Sequence, residues 1–367
     1  MTNYSLKKII WITLSVKLLT FLLIFLAFSG KMFCSVCHDQ VGSLNPLTTW
    51  DANHYLHIAQ VGYQANNLEN AFYPLFPGLL KFITPLFSGN SILAGIMLNV
   101  GASIFIVILF WLIVKQLTNT KIAFVACCFL LFFPTAFYFH LIYTEVWFLL
   151  LTFLAFYGVY KKNIFLILPS GILLPLIRPL GFLVLMPVLY ALIFENKKGS
   201  KNKNYIWLTI GAFGCGLLLY FLIMFYFTSS PFSGLEAQKY FISNNNLSNL
   251  WHPWRWLIQD FFSSNLSVYH LPGMSIWDRI FFLFFCLSLI GIYKTQPKSF
   301  FIYALIFGLL PALLGNLMSY PRYLLVVFPL FIFLAQKLEK KYLWLLVPFG
   351  VLQIIFLLLH TMNYWVA

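Results

Sequence analysis

Runs of about 20 predominantly apolar residues recur along almost the whole chain, and that recurrence leaves few folds open. In a bilayer each backbone N–H and C=O must find its partner within protein, so such a chain forms a helical bundle or a closed barrel. The alternating pattern of barrel strands is absent. With 61% hydrophobic and 9% charged residues among 367, the composition excludes an ordinary soluble domain. The expected fold class is an all-α polytopic membrane protein, a single integral membrane domain over 1–367.

Spans are expected at 9–29, 91–114, 122–135, 143–160, 164–178, 180–194, 205–228, 276–293, 299–315, 322–336 and 342–361, eleven in all. The first run leads into a loop without a small-residue cleavage site, so no cleavable signal peptide is expected. A net charge of +14 by itself would suit a nucleic-acid partner, but its placement argues for topology instead. Lys7, Lys8, Lys115, Lys121, Lys161, Lys162, Lys197, Lys198, Lys201, Lys203, Lys294, Lys298, Lys337, Lys340 and Lys341 all fall in every second loop. That is the positive-inside distribution; it sets a cytoplasmic N-terminus and an outer C-terminus and calls for no nucleic-acid partner.

Two outer loops are then long, 30–90 and 229–275. The second carries Trp251, Trp254 and Trp256, residues suited to the headgroup level. The expected spans 122–135, 164–178 and 180–194 are short, and Pro134, Pro169, Pro175, Pro179 and Pro187 punctuate this region. Broken helices border a cavity in many bundles, because freed backbone groups need partners; tilt and mutual packing are the plainer explanation.

Seven of the nine acidic residues (Asp39, Asp51, Glu69, Glu145, Glu236, Asp260, Asp278) and all four arginines (Arg178, Arg255, Arg279, Arg322) fall on the outer side. Arg178 and Arg322 stand at span ends between prolines and aromatics, and Glu145 opens a span in Tyr143-Thr144-Glu145. A charge near hydrocarbon costs about 2.5–3.5 kcal/mol at a span centre unless paired or wet. An arginine–carboxylate set there is a candidate site, and the planar guanidinium fork suits a phosphate. The plainer reading is structural pairing of either arginine with Glu145, or snorkelling of its guanidinium to the headgroups.

The first outer loop holds the densest polar and aromatic stretch, Trp50-Asp51-Ala52-Asn53-His54-Tyr55-Leu56-His57-Ile58-Ala59 and Gly62-Tyr63, followed by Ala71-Phe72-Tyr73-Pro74-Leu75-Phe76-Pro77. Tyr55, Ile58, Ala59 and Gly62 recur at helical spacing, and Asp51 is placed to cap such a helix. His54, one turn further on, can share a face with Asp51. Cys34-Ser35-Val36-Cys37-His38 has the spacing of a c-type haem attachment, with a local disulfide, a metal contact or no role as alternatives. Cys127, Cys128, Cys215 and Cys286 lie within spans as small core residues.

The first-loop stretch resembles the outer-loop signature of the PIG-V-type mannosyltransferases, a family within the GT-C superfamily of polyprenyl-phosphate-sugar-dependent glycosyltransferases. Tyr143-Thr144-Glu145, Arg178-Pro179-Leu180-Gly181 and Pro321-Arg322-Tyr323 extend the resemblance, although Pro179-Leu180 replaces the Ser-Asn that often follows the arginine. The resemblance implies a GT-C-like bundle with short interfacial helices in the first outer loop. It also implies inverting transfer, typically of mannose, from a dolichyl- or polyprenyl-phosphate donor to a lipid-linked or glycan acceptor, without cofactor or metal. Asp51 would be the base, Arg178, Arg322 and His54 the donor-phosphate partners, and Trp50, Tyr63, Tyr73, Tyr143 and Glu145 substrate-binding residues.

The site would face the extracytoplasmic side of a plasma membrane in a prokaryote or of the endoplasmic reticulum in a eukaryote. A lipid or glycoconjugate transporter could use the same charged groups, but no internal repeat is evident. An O-antigen ligase- or polymerase-like enzyme is the other alternative.

Overall fold

A computed structural model describes residues 4–33, 45, 47–195, 203–241, 274–314, 317 and 319–366. The Cys34, Cys37 and His38 motif and most of the second long loop lie outside the described residues. The described secondary structure is helical throughout.

Helix α1 (Leu6–Phe33) is followed by two short helices of the first long loop, α2 (Asp51–Val61) and α3 (Leu75–Ile83). Next come α4 (Ser91–Leu117), α5 (Thr120–Phe132), α6 (Glu145–Lys161), α7 (Ile164–Ile177) and α8 (Leu185–Tyr190). The later elements are α9 (Lys203–Thr228), α10 (Ser233–Phe241), α11 (Met274–Thr295), α12 (Lys298–Ala304) and α13 (Leu310–Leu314). The last are α14 (Tyr320–Leu325), α15 (Phe328–Lys337) and α16 (Leu343–Thr361). Among the described residues, five helices are long and apolar enough to cross a membrane: Leu6–Ser29, Ser91–Leu117, Lys203–Thr228, Ile276–Thr295 and Leu343–Thr361. The other expected spans are shorter or interrupted helices. The protein is a multi-pass membrane protein, and α2 and α3 are the short helices expected in its first long loop.

Local chemistry sets the helix ends. Asn90, Asn119 and Asn163 each accept a backbone N–H of the first turn at 2.9–3.0 Å, the usual use of an asparagine cap. Lys162 at φ 53° ends α6, and Asn163 caps α7 at once, so the two form a tight antiparallel pair. Helices α7 and α9 approach closely because Gly171 and Gly216 face the contact; a β-carbon at Gly216 would run into the Ile172 carbonyl. The core is dense in aromatic rings: Phe328 meets Phe110, Phe153, Phe156, Phe300 and Tyr303 at 4.8–6.2 Å.

The proline-rich breaks are where the fold matters for function. Helix α5 stops at Phe132, and residues 133–146 are all buried although no α-helix forms before Glu145. Backbone carbonyls in such a turn need donors. Asn99 on α4 supplies them: its Nδ2 donates to the carbonyls of Leu141 and Tyr143, the latter at 2.9 Å, while Trp147 Nε1 donates to its Oδ1 at 2.8 Å. Thr135 Oγ1 donates to the Pro321 carbonyl at 3.0 Å and ties this turn to α14. The span expected at 322–336 is two helices, because residues 326–327 break between α14 and α15. That at 180–194 starts as a 3₁₀ helix, Pro179–Val184, and ends in a π turn, Ala191–Glu195.

Candidate active site

The buried turn, the start of α2, the end of α7 and the short α14 meet at one point. Asp51 is the first residue of α2, Glu145 the first of α6, Arg178 the residue that ends α7, and Arg322 the third of α14. Arg322 bridges the two carboxylates: Nη2 donates to Asp51 Oδ2 at 2.6 Å and Nε to Glu145 Oε1 at 2.5 Å. Arg178 Nη2 reaches the same Glu145 Oε1 at 2.5 Å, and its Nε donates to Thr144 Oγ1 at 2.8 Å. The Arg322 guanidinium lies 4.9 and 4.7 Å from the ring centres of Tyr138 and Tyr143.

The burial is graded. Glu145 is fully buried, whereas the side chains of Arg322, Arg178 and Asp51 are 13%, 19% and 21% exposed. Two carboxylates and two guanidinium groups make the cluster neutral, so none is an uncompensated buried charge. Glu145 is the inner anchor, since one of its oxygens accepts from both arginines; the other, Oε2, has no hydrogen-bond partner among the described residues. Each guanidinium has five N–H groups, and the bonds above use two on each. Donors therefore remain for an anion. Asp51 likewise offers Oδ1, with Oδ2 tied to Arg322.

The capping role expected of Asp51 is corrected. Trp50 is the cap residue, no side chain caps the helix, and the Asp51 carboxylate accepts from Arg322 instead. Its place in the first turn of α2 still suits a negative charge. Tyr55, one turn on, places its hydroxyl 3.3 Å from Thr144 Oγ1, and burial, reinforced by Asp51, pushes that hydroxyl well above the ordinary tyrosine range.

The other expected residues divide. Tyr143 is in the cluster; its ring faces Arg322 and its hydroxyl donates to the Thr49 carbonyl at 3.1 Å. Trp50 adjoins Asp51 and meets the Trp365 ring edge to face at 4.7 Å. His54, expected to face the phosphate, places Nδ1 3.1 Å from Glu69 Oε1 and stacks on Phe72, while His57 Nδ1 lies 2.6 Å from the other Glu69 oxygen. Tyr63 and Tyr73 belong to a second apolar cluster with Ile58, Leu176, Tyr220 and Met224. There Tyr63 donates to the Phe72 carbonyl at 2.7 Å and Tyr73 stacks on Tyr220 at 4.4 Å.

Sequence reasoning missed Tyr138, Thr144 as an arginine acceptor, Thr49, Asn99, Ser319 and Trp365. Thr144 stands inside a motif already singled out, but the others carry no local signal. No group of three or more His, Cys, Asp or Glu side chains among the described residues is arranged to hold a metal ion.

The family described as Mannosyltransferase (PIG-V) matches residues 6–176, a range that holds α1, both first-loop helices, Asp51 and Glu145. No curated protein matches the chain. Among solved structures, the apo crystal structure of the Archaeoglobus fulgidus oligosaccharyltransferase aligns over 99% of this chain and 56% of its own, with 14% identity and a TM-score of 0.51. The archaeal oligosaccharyltransferase AglB of Archaeoglobus fulgidus, in complex with an inhibitory peptide and a dolichol-phosphate, aligns over 80% of this chain and 48% of its own, with 14% identity and a TM-score of 0.43. The chain thus spans about half the length of the structures it matches. At 14% identity the likeness to the apo oligosaccharyltransferase is one of fold alone. The match to the family described as Mannosyltransferase (PIG-V) covers just under half of the chain and includes Asp51 and Glu145 of the charged cluster, whereas Arg178 and Arg322 lie beyond it, so the chain is similar to that family over its N-terminal part.

Proposed function

We propose that the protein is an inverting glycosyltransferase that moves a sugar, mannose by resemblance to the matched family, from a dolichyl- or polyprenyl-phosphate to a hydroxyl of a lipid-linked or glycan acceptor. The observation that carries this reading is the Asp51–Arg322–Glu145–Arg178 cluster: a carboxylate with one open oxygen beside two guanidinium groups with N–H donors to spare.

In the reaction, the acceptor hydroxyl attacks the anomeric carbon from the face opposite the phosphate. Its proton passes to Asp51 Oδ1 as the new C–O bond forms. The bond between the anomeric carbon and the phosphate oxygen breaks with its electron pair on that oxygen, so charge grows on the polyprenyl phosphate. Arg178 and Arg322 meet that charge with donors already in place, which is worth about 10²–10³ in rate for one such donor. Glu145 holds both arginines at the correct spacing. No metal or cofactor takes part in this scheme.

The lysine distribution supports a cytoplasmic N-terminus and an extracytoplasmic site. The membrane is then the plasma membrane of a prokaryote or the endoplasmic reticulum of a eukaryote. The test is incubation of membranes holding the protein with labelled polyprenyl-phosphate mannose and, separately, with a pyrophosphate-linked oligosaccharide. Transfer of mannose with inverted anomeric configuration supports the reading. Transfer of the oligosaccharide alone would make it a ligase, and movement of intact donor across the membrane without transfer would make it a transporter.

A further inference from the structure

Two short backbone turns aim the charged cluster, and both adopt conformations that residues with a β-carbon rarely take. Trp50, directly before Asp51, has φ 57° and ψ −129°. Ser319, three residues before Arg322, has φ 65° and ψ 24°. Such residues persist where their surroundings over-determine them, and they concentrate at functional sites.

One side chain touches both turns. Trp365 Nε1 donates to Ser319 Oγ at 3.0 Å, and the ring of Trp365 meets that of Trp50 edge to face at 4.7 Å. Trp365 is itself aimed by a third left-handed residue, Asn363, at φ 63°. There α16 closes with Tyr364 N–H donating to the Leu359 carbonyl at 3.0 Å and Asn363 N–H to the His360 carbonyl at 3.0 Å, which turns the chain back over the site. His360, in the last turn of the same helix, adds a contact to the turn before Asp51, with Nε2 3.3 Å from Thr49 Oγ1.

We propose that Trp365 is a positioning residue for the transfer reaction, bracing the turns at Trp50 and Ser319 so that Asp51 and Arg322 keep their spacing across the reacting gap. The inference rests on the glycosyl-transfer reading above and adds a residue to it. Transfer rates are sensitive to such spacing; a misplacement of about 1 Å can cost on the order of 10²-fold. A ring that only filled space would need its shape alone, whereas a brace needs the indole N–H on Ser319.

Purified Trp365→Phe, which keeps an aromatic ring and loses the N–H, separates these roles. Transfer kinetics with polyprenyl-phosphate mannose should show kcat down about tenfold, with donor KM and melting temperature near those of the unaltered protein. Adding Ser319→Gly to that variant should restore most of the lost kcat, because glycine holds a positive φ without a brace. An unchanged kcat, a change confined to KM, a loss matched by a fall in melting temperature, or a loss that Ser319→Gly does not restore would each overturn the proposal. Asp51→Asn is run beside it. An inactive Asp51→Asn with a fully active Trp365→Phe rejects the brace alone, while an active Asp51→Asn rejects the site reading itself.

Discussion

Arg322 Nη2 lies 2.6 Å from Asp51 Oδ2, although 271 positions separate the two residues in the chain. The contact joins the first long loop to a six-residue helix near the other end of the sequence. Nothing local enforces it. It holds because Glu145 accepts from Nε of the same guanidinium and Tyr138 and Tyr143 flank that group.

Glu145 should matter most for stability. It is fully buried and neutralises two arginines, so Glu145→Ala leaves uncompensated positive charge and costs about 3–5 kcal/mol. Asp51→Asn, at a 21% exposed side chain with one partner, costs less, on the order of 1.5–3 kcal/mol. Thermal unfolding of both variants in detergent checks the order: Glu145→Ala melts well below Asp51→Asn.

Arg322→Lys should not substitute. An ammonium on a flexible stem cannot reproduce the fixed spacing of Nε on Glu145 and Nη2 on Asp51 and lacks the planar fork for a phosphate. Turnover is expected to fall by about 10²–10³. Steady-state kinetics on the purified variant checks it, and a fall below tenfold would remove Arg322 from the mechanism.

Asn99 links packing to chemistry without touching the charged cluster. Asn99→Ala strips donors from the buried carbonyls of Leu141 and Tyr143, at about 1–3 kcal/mol for each group left unsatisfied. The turn that positions Thr144 and Glu145 loosens with it. The expected result is a lower melting temperature together with reduced transfer, measured on the same preparation.

Gly216→Ala tests the close approach of α7 and α9, since the new β-carbon meets the Ile172 carbonyl. Overpacking of this kind costs about 1–3 kcal/mol. Because α7 ends at Arg178, activity should fall along with stability, whereas Gly214→Ala, where a β-carbon meets nothing within 4 Å, should change neither. Paired melting curves and transfer assays distinguish the two.

Much of this was legible in the sequence, for identifiable reasons. Apolar runs and lysine placement are properties of short windows, so the helices fall close to where they were expected. Asp51, Glu145, Arg178 and Arg322 stood out because charges beside apolar runs need a reason, and they converge. Tyr63 and Tyr73 looked like site residues by proximity in sequence, yet the strand of chain beyond α2 carries them to Tyr220 and Met224. His54 was read from helical phase alone, and Glu69, 15 positions on, claims its Nδ1. Asn99 and Trp365 could not be found, because their work is done on carbonyls and hydroxyls 42–46 positions away, and such contacts leave no pattern in a single sequence.

The central claim is that Asp51 takes the acceptor proton while the arginines hold the donor. The direct measurement is transfer by purified Asp51→Asn with labelled polyprenyl-phosphate mannose, alongside binding of the same donor. Loss of transfer by about 10²–10⁴, with donor binding kept, is the predicted result. Near-normal transfer by that variant would contradict it.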